Sequence, residues 1–559
     1  MRARVGTLRG LGLALGLALG LALALGAGPA LARSAPVVEA PAGAVRGEAL
    51  GEVAAFRGIP YAAPPVGQRR WRPPAPLAPW AGVREAKDFG PACLQPRMPP
   101  GFIYASELPQ LSEDCLTLNV WAPKDAARTP SGAPVMVWIH GGSLTTGSSR
   151  EAMYDGAALA RRGIVVVSIN YRLGVLGWLA HPALTAESPD KVSGNYGLLD
   201  QIAALTWVKR NIAAFGGDPA NVTVAGESAG GLSVLYLMAS PLARGLFHKA
   251  ILQSAYMVST PELGENRFGH EGAEAAGARL AERLGAGGLA DLRAMDAAAL
   301  VDKAPKAGFA PFGAIDGKVL PRQIVEVFDR GEQAPVPVLA GFNEGEIRSL
   351  RRLAPPKPAS AAAYEAAIRE RYGDLADDFL RLYPSSDLGE SVIATTRDAL
   401  YGWTAERLAR KQTELGQPAF LYLFDHGYPA ADALDLHAFH ASEIPYVFGT
   451  RDRTPAGWPK PPLSSLETRL GQAIQGYWAA FVKTGRPAAA DQPAWPPYGE
   501  SRAYMAFEDA PRPKTGLMPG MYELHEDVVG RRRAQGDTPW NWNVGVVSPV
   551  LPPKSTERR

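Results

Sequence analysis

An α/β layered fold with a largely parallel central sheet is what this sequence predicts, and three observations carry the prediction. Short apolar runs rich in β-branched residues recur at 116–121, 135–140, 165–170 and 222–225, each of a length suited to a buried strand. Helical stretches such as 157–162 and 198–212 lie between them, and strands alternating with helices build βαβ units. The last of these strands runs into Gly226-Glu227-Ser228-Ala229-Gly230 and then into a helix-like segment at 232–238. Strand, tight glycine turn and helix in that order are a recurrent device of such folds.

From the N-terminus, residues 1–32 read as an export signal. Arg2, Arg4 and Arg9 give a positive start, Leu-Gly-Leu-Ala repeats follow, and Ala30-Leu31-Ala32 offers a small-residue cleavage site. A membrane anchor is the competing reading, because the apolar run is nearly long enough to span a bilayer. Its many glycines and alanines and the A-x-A ending favour removal. No later stretch reaches ~18 uninterrupted apolar residues, so the expected mature protein is periplasmic or secreted and has no stable membrane anchor. No Cys lies near the cleavage site to accept a lipid.

Residues 33–530 are expected to form one large domain, since no internal repeat or linker interrupts them. The stretch from Val37 to about Pro74 reads as short strands and turns, followed by a Pro-rich stretch to Cys93. Further strands are expected at 250–254, 336–341 and 419–424. A helix is expected at 467–484, and surface helices over the Ala/Glu/Arg-rich region 271–306. Residues 531–559, rich in Arg, Pro and Trp without a period, are expected to form a loose tail.

Hydrophobic residues are 47% and charged residues 20% of the chain, the balance of an ordinary globular protein, and the net charge is only +3. So small a charge on 559 residues gives no reason to expect a nucleic acid or an anionic membrane as partner. The only two cysteines, Cys93 and Cys115, would pair in an oxidising compartment; two buried free thiols are the alternative. Metal binding needs more Cys and His ligands than that neighbourhood offers, so no metal or organic cofactor is expected.

The strongest chemical signal is the Gly226–Gly230 pentapeptide. Side chains two positions either side of Ser228 would collide with backbone in so tight a turn, hence the glycines. The helix that follows aims its positive N-terminus at the serine. A serine hydroxyl still needs a base to activate it and donors for the tetrahedral oxyanion. His140-Gly141-Gly142-Ser143 ends the strand at 135–139, and its bare backbone can present N–H groups. Gly142, Ser143 and Ala229 are the expected oxyanion donors.

At this point the chain resembles the type-B carboxylesterase/lipase family, which includes the cholinesterases, and is most like its bacterial carboxylesterases. The resemblance runs over residues 37–507. Phe215-Gly216-Gly217-Asp218-Pro219 through Gly230 fits the serine-centred signature, and Glu113-Asp114-Cys115-Leu116-Thr117-Leu118-Asn119-Val120 fits a second, whose Cys is disulfide-bonded. Gly58-Ile59-Pro60-Tyr61, Asn170-Tyr171-Arg172-Leu173-Gly174 and Gly194-Asn195-Tyr196-Gly197 are further landmarks.

The resemblance implies an α/β-hydrolase fold and the chain order Ser, acid, His. His440, in Phe439-His440-Ala441-Ser442-Glu443-Ile444-Pro445, matches the family's catalytic-His loop; His437 is the nearest competitor, and His140 belongs to the oxyanion strand. The acid falls in Gly341-Phe342-Asn343-Glu344-Gly345-Glu346. Counting five from Gly341, as the family does, lands on Glu346, with Glu344 as the alternative. Gly345 and Ile347 replace the family's flanking Asp and Gly, and Ser143 stands where many members have a third Gly.

The implied activity is hydrolysis of small to medium alkyl or aryl carboxylic esters through an acyl-enzyme, by a monomer or small homo-oligomer. Members that bind quaternary ammonium use a Trp between the first two cysteines, whereas the 93–115 loop offers Phe102 and Tyr104, which disfavours choline esters. A catalytically idle adhesion member, or a hydrolase of amides, thioesters or lactones, are the alternatives.

Overall fold

A computed structural model describes residues 35–126, 131–541 and 543–554; the leader read at 1–32 lies outside the described residues. Eleven strands form one mixed sheet. We number them in chain order: β1 Glu48–Leu50, β2 Val53–Pro60, β3 Thr117–Pro123, β4 Ala133–Ile139, β5 Val165–Ile169, β6 Gly217–Glu227, β7 Lys249–Gln253, β8 Val338–Asn343, β9 Ala419–Phe424, β10 Ala503–Phe507 and β11 Pro511–Thr515. Their spatial order is β11-β10-β9-β8-β7-β6-β4-β5-β3-β2-β1. The stretch from β10 to β5 is parallel throughout, and antiparallel pairs close both ends. This is the α/β-hydrolase architecture expected from the resemblance.

The parallel strands are apolar on both faces because both faces are covered. In β4, Val135, Val137 and Ile139 enter one core while Met136 and Trp138 enter the other. Helices Tyr196–Asn211, Ala229–Ala239 and Trp403–Glu414 pack on the first side, and Ser465–Thr484 on the second. A continuous hydrophobic run is therefore what a central parallel strand requires.

The strands read from sequence lie where expected, with edges shifted by a few residues; β6 starts earlier, at Gly217, than its apolar centre indicated. The region 271–306 is three helices, Ala273–Arg283, Leu289–Ala294 and Ala297–Lys306. The tail expected from residue 531 is corrected. Helix Met521–Gln535 runs through that boundary, and Trp540 is fully buried in the main core, edge-on to Trp403 at 6.1 Å. Asn541 Oδ1 accepts the Ser259 N–H at 2.9 Å. A segment held by one large aromatic and side-chain hydrogen bonds shows no periodicity, which is why it reads as loose.

Cys93 and Cys115 form a disulfide. Among the described residues no helix is long and apolar enough to cross a membrane.

Candidate active site

Strands β4, β6, β7 and β8 are parallel neighbours, so their carboxyl ends lie along one edge of the sheet. At the end of β6, Ser228 adopts φ 57°, ψ −120°, a conformation few non-glycine residues hold. Helix Ala229–Ala239 begins at the next residue. The strain is imposed by contact: a Cβ on Gly230 would lie 2.0 Å from the Ile139 carbonyl oxygen of β4, so only glycine lets turn and strand meet. The serine is thus lifted out of the strand onto a helix N-terminus.

Beside it, the loop after β4 folds tightly. Gly142 has φ 100°, with Ser143 and Leu144 also left-handed. The Thr145 and Thr146 N–H groups both donate to the Gly142 carbonyl, at 3.0 and 2.9 Å. The turn uses the carbonyl of Gly142, and among the described residues the N–H groups of Gly142 and Ser143 have no backbone acceptor. Ala229 opens its helix, so its N–H has no acceptor within it. The loop abuts the serine, since a Cβ on Gly141 would stand 3.2 Å from the Ser228 Cβ. His140 is buried, stacks on Tyr171 and is pushed down to about 4 by burial, so it is neutral.

His440 and Glu346 meet from elements far apart in sequence. Glu346 Oε2 bonds His440 Nδ1, and Glu346 Oε1 accepts from Ser254 Oγ at 2.6 Å and the Asn343 N–H at 2.8 Å. The carboxylate is fully buried and oriented by both donors. Glu344 points elsewhere, paired with Arg397 at 2.8 Å, and the exposed His437 bonds Asp432 at 2.9 Å. Of the sequence-predicted residues, then, Glu346 and His440 are in contact, and Ser228 comes one residue after Glu227, which also meets His440.

His440 Nε2 faces a carboxylate that sequence reasoning missed. Glu227 Oε1 lies 3.1 Å away, and among the described residues the Ser228 hydroxyl has no hydrogen-bond partner. Burial raises Glu227 to about 8, and the nearby His440 charge partly offsets it. For His440 burial opposes the charge, but Glu227 and then Glu346 outweigh it and raise the imidazole to about 9.

A third glutamate backs this pair. Glu443 is buried, accepts from Gln253 Nε2 at 2.8 Å and Asn343 Nδ2 at 2.7 Å, and is raised by burial. Its only sequence signal was its place three residues after His440. The disulfide loop also reaches the site: Tyr104 donates to the His440 carbonyl at 2.9 Å, with the rings edge-on at 6.3 Å. Among the described residues no group of three or more His, Cys, Asp or Glu is gathered to hold a metal ion.

A strained serine where a parallel strand turns into a helix, in an α/β-hydrolase fold, has the form of a nucleophile elbow. The chain belongs to the carboxylesterase family, whose model matches residues 34–523, and it is a carboxylic-ester hydrolase. It is 39% identical to "Fumonisin B1 esterase" of Sphingopyxis macrogoltabida, over 83% of this chain and 85% of that protein. It is 38% identical to "Para-nitrobenzyl esterase" of Bacillus subtilis (strain 168), over 82% of this chain and 91% of that protein. A solved PNB esterase superposes with a TM-score of 0.75 at 35% identity, covering 88% of this chain and 99% of that one. A thermophilic PNB esterase does so with 0.74 at 35% identity, over 88% and 100%.

Proposed function

We propose that this protein is an exported serine carboxylesterase that cleaves small to medium alkyl or aryl esters through an acyl-enzyme. The observations that carry the reading are the Glu346–His440 contact and the strained turn at Ser228, one residue past the Glu227 that faces the same imidazole. His440 Nε2 turns from Glu227 to the Ser228 hydroxyl and takes its proton as Oγ attacks the ester carbonyl. The N–H groups of Gly142, Ser143 and Ala229 hold the oxyanion, an effect commonly worth about 3–4 kcal/mol per donor. Glu346 fixes the tautomer with Nδ1 protonated and stabilises the imidazolium. Collapse expels the alcohol, which receives the proton from His440. Water, deprotonated by the same imidazole, then releases the acid and restores Ser228. Each step balances with ester and water alone, so no metal or organic cofactor enters.

The relatives named for para-nitrobenzyl and fumonisin B1 esters support aryl and bulky esters as substrates to try. The test is hydrolysis of p-nitrophenyl acetate and butyrate by the chain from Ser34 onward, beside Ser228→Ala. The expected result is a fall in kcat of about 10³–10⁶ in the variant. An active Ser228→Ala variant would remove Ser228 from the mechanism.

A further inference from the structure

Two phenols, one against His440 and the other against the first, carry hydroxyl groups that no hydrogen bond among the described residues uses. Tyr401 lies in the π-helical turn Asp398–Gly402, and its ring centroid is 5.5 Å from that of His440. Tyr256, three residues past β7, stands edge-on to Tyr401 at 6.1 Å. The two segments are fixed to each other, because the Met257 N–H donates to Thr404 Oγ1 at 2.9 Å. Asp398, which opens the π turn, is held by Arg397 at 2.8 Å and by the Tyr383 hydroxyl at 2.9 Å. Single π turns are uncommon within α-helices and frequently mark functional sites.

Neighbouring tyrosines show what an engaged or a sealed hydroxyl looks like here. Tyr104 donates to the His440 carbonyl and also meets Ser349 Oγ at 2.7 Å, while Tyr171 donates to the His140 carbonyl at 2.9 Å. The Tyr422 hydroxyl is buried with no partner among the described residues. Tyr256 and Tyr401 fit neither pattern. Among the described residues neither hydroxyl has a hydrogen-bond partner, yet neither is sealed from open space. Tyr401 as a whole is only 3% exposed, so its ring is preset and its hydroxyl is the part left to meet a ligand. Phenylalanine would give the same apolar wall without a polar group to desolvate when substrate fills the site.

We infer that Tyr256 and Tyr401 form a polar subsite that selects esters carrying a neutral hydrogen-bond acceptor, an ether, carbonyl or hydroxyl oxygen, a few bonds from the scissile carbonyl. A neutral acceptor fits better than an anionic one, because Glu227, Glu346 and Glu443 gather around the same imidazole. The subsite rests on the reading of Ser228 and His440 as the reacting pair.

The test uses ester pairs in which an ether oxygen replaces one methylene. p-Nitrophenyl methoxyacetate against butyrate probes the acid half, and 2-methoxyethyl against butyl butyrate probes the alcohol half. The readout is the ether/methylene ratio of kcat/KM in the parent, Tyr256→Phe and Tyr401→Phe. Intrinsic reactivity cancels between parent and variant, and any loss of folded protein cancels within each ratio. Each variant is expected to lower the ratio about three- to tenfold in one of the two pairs, the size of one lost hydrogen bond. The pair that responds identifies the half of the ester that carries the acceptor. An active parent with both ratios unchanged in both variants overturns the subsite alone. A parent inactive on all four esters overturns the esterase reading and the subsite with it.

Discussion

The carboxyl groups around His440 divide into those that orient it and those that set its charge. Glu346 holds Nδ1 and is itself held by Ser254 and Asn343, so Glu346→Gln leaves the packing nearly intact but favours the wrong tautomer. We expect kcat to fall by about 10³–10⁴. Glu344→Gln, which disturbs only the Arg397 pair, should cost less than about tenfold; steady-state kinetics of the two variants separates the candidates. Glu227 acts on charge. Its carboxylate raises the His440 pKa, so Glu227→Gln lowers it and moves the acid limb of the kcat/KM–pH profile to lower pH. A limb that stays in place would show that Glu227 does not control the imidazole. The sequence made Ser228 legible because its constraints are local, two glycines and a strand–helix junction within five residues. Glu346 was partly legible, through its spacing from Gly341. Gln253, Asn343 and Glu443 were not, since their bonds join positions 100 to 190 apart and leave no local pattern.

Among the elements, the glycine turn at Ser228 and the disulfide loop do the positioning. Gly230→Ala forces a Cβ against the Ile139 carbonyl, where both partners are backbone. It should yield little folded protein, as read by soluble expression and far-UV circular dichroism, and a stable, active Gly230→Ala would contradict the close approach. The Cys93–Cys115 bridge spans 22 residues and carries Tyr104 to the His440 carbonyl. Replacing both cysteines by Ala should destabilise the fold by about 3 kcal/mol, seen as a lower unfolding midpoint. It should also raise KM more than it lowers kcat, because the loop borders the site without touching the reacting atoms. Strands were read well from sequence wherever a central position buries both faces, as in β4 and β9. The edge strand β11, Pro511–Thr515, escaped because only Pro511 of its five residues is buried and Pro and Lys interrupt it.

At the scale of the whole molecule, the C-terminal segment is part of the fold. Trp540 fills the main core, and Tyr372, His525, Asn543 and Ser548 form a buried hydrogen-bonded chain between helices and tail. Trp540→Ala should cost about 3–5 kcal/mol, measured as a fall in the unfolding midpoint; a loose tail would leave it unchanged. The segment was illegible because one anchoring side chain has no period, and its partners, Trp403 and Ser259, lie more than a hundred residues away. In the proposed mechanism one serine of the chain, Ser228, becomes covalently acylated. Reaction with an organophosphate that forms a stable phosphoryl-serine, followed by mass spectrometry of the intact chain and its peptides, tests this most directly. One adduct per chain on Ser228, rising in step with loss of activity and slowed in His440→Ala, is the predicted result. Full activity without an adduct, or inactivation by an adduct on another residue, would contradict it.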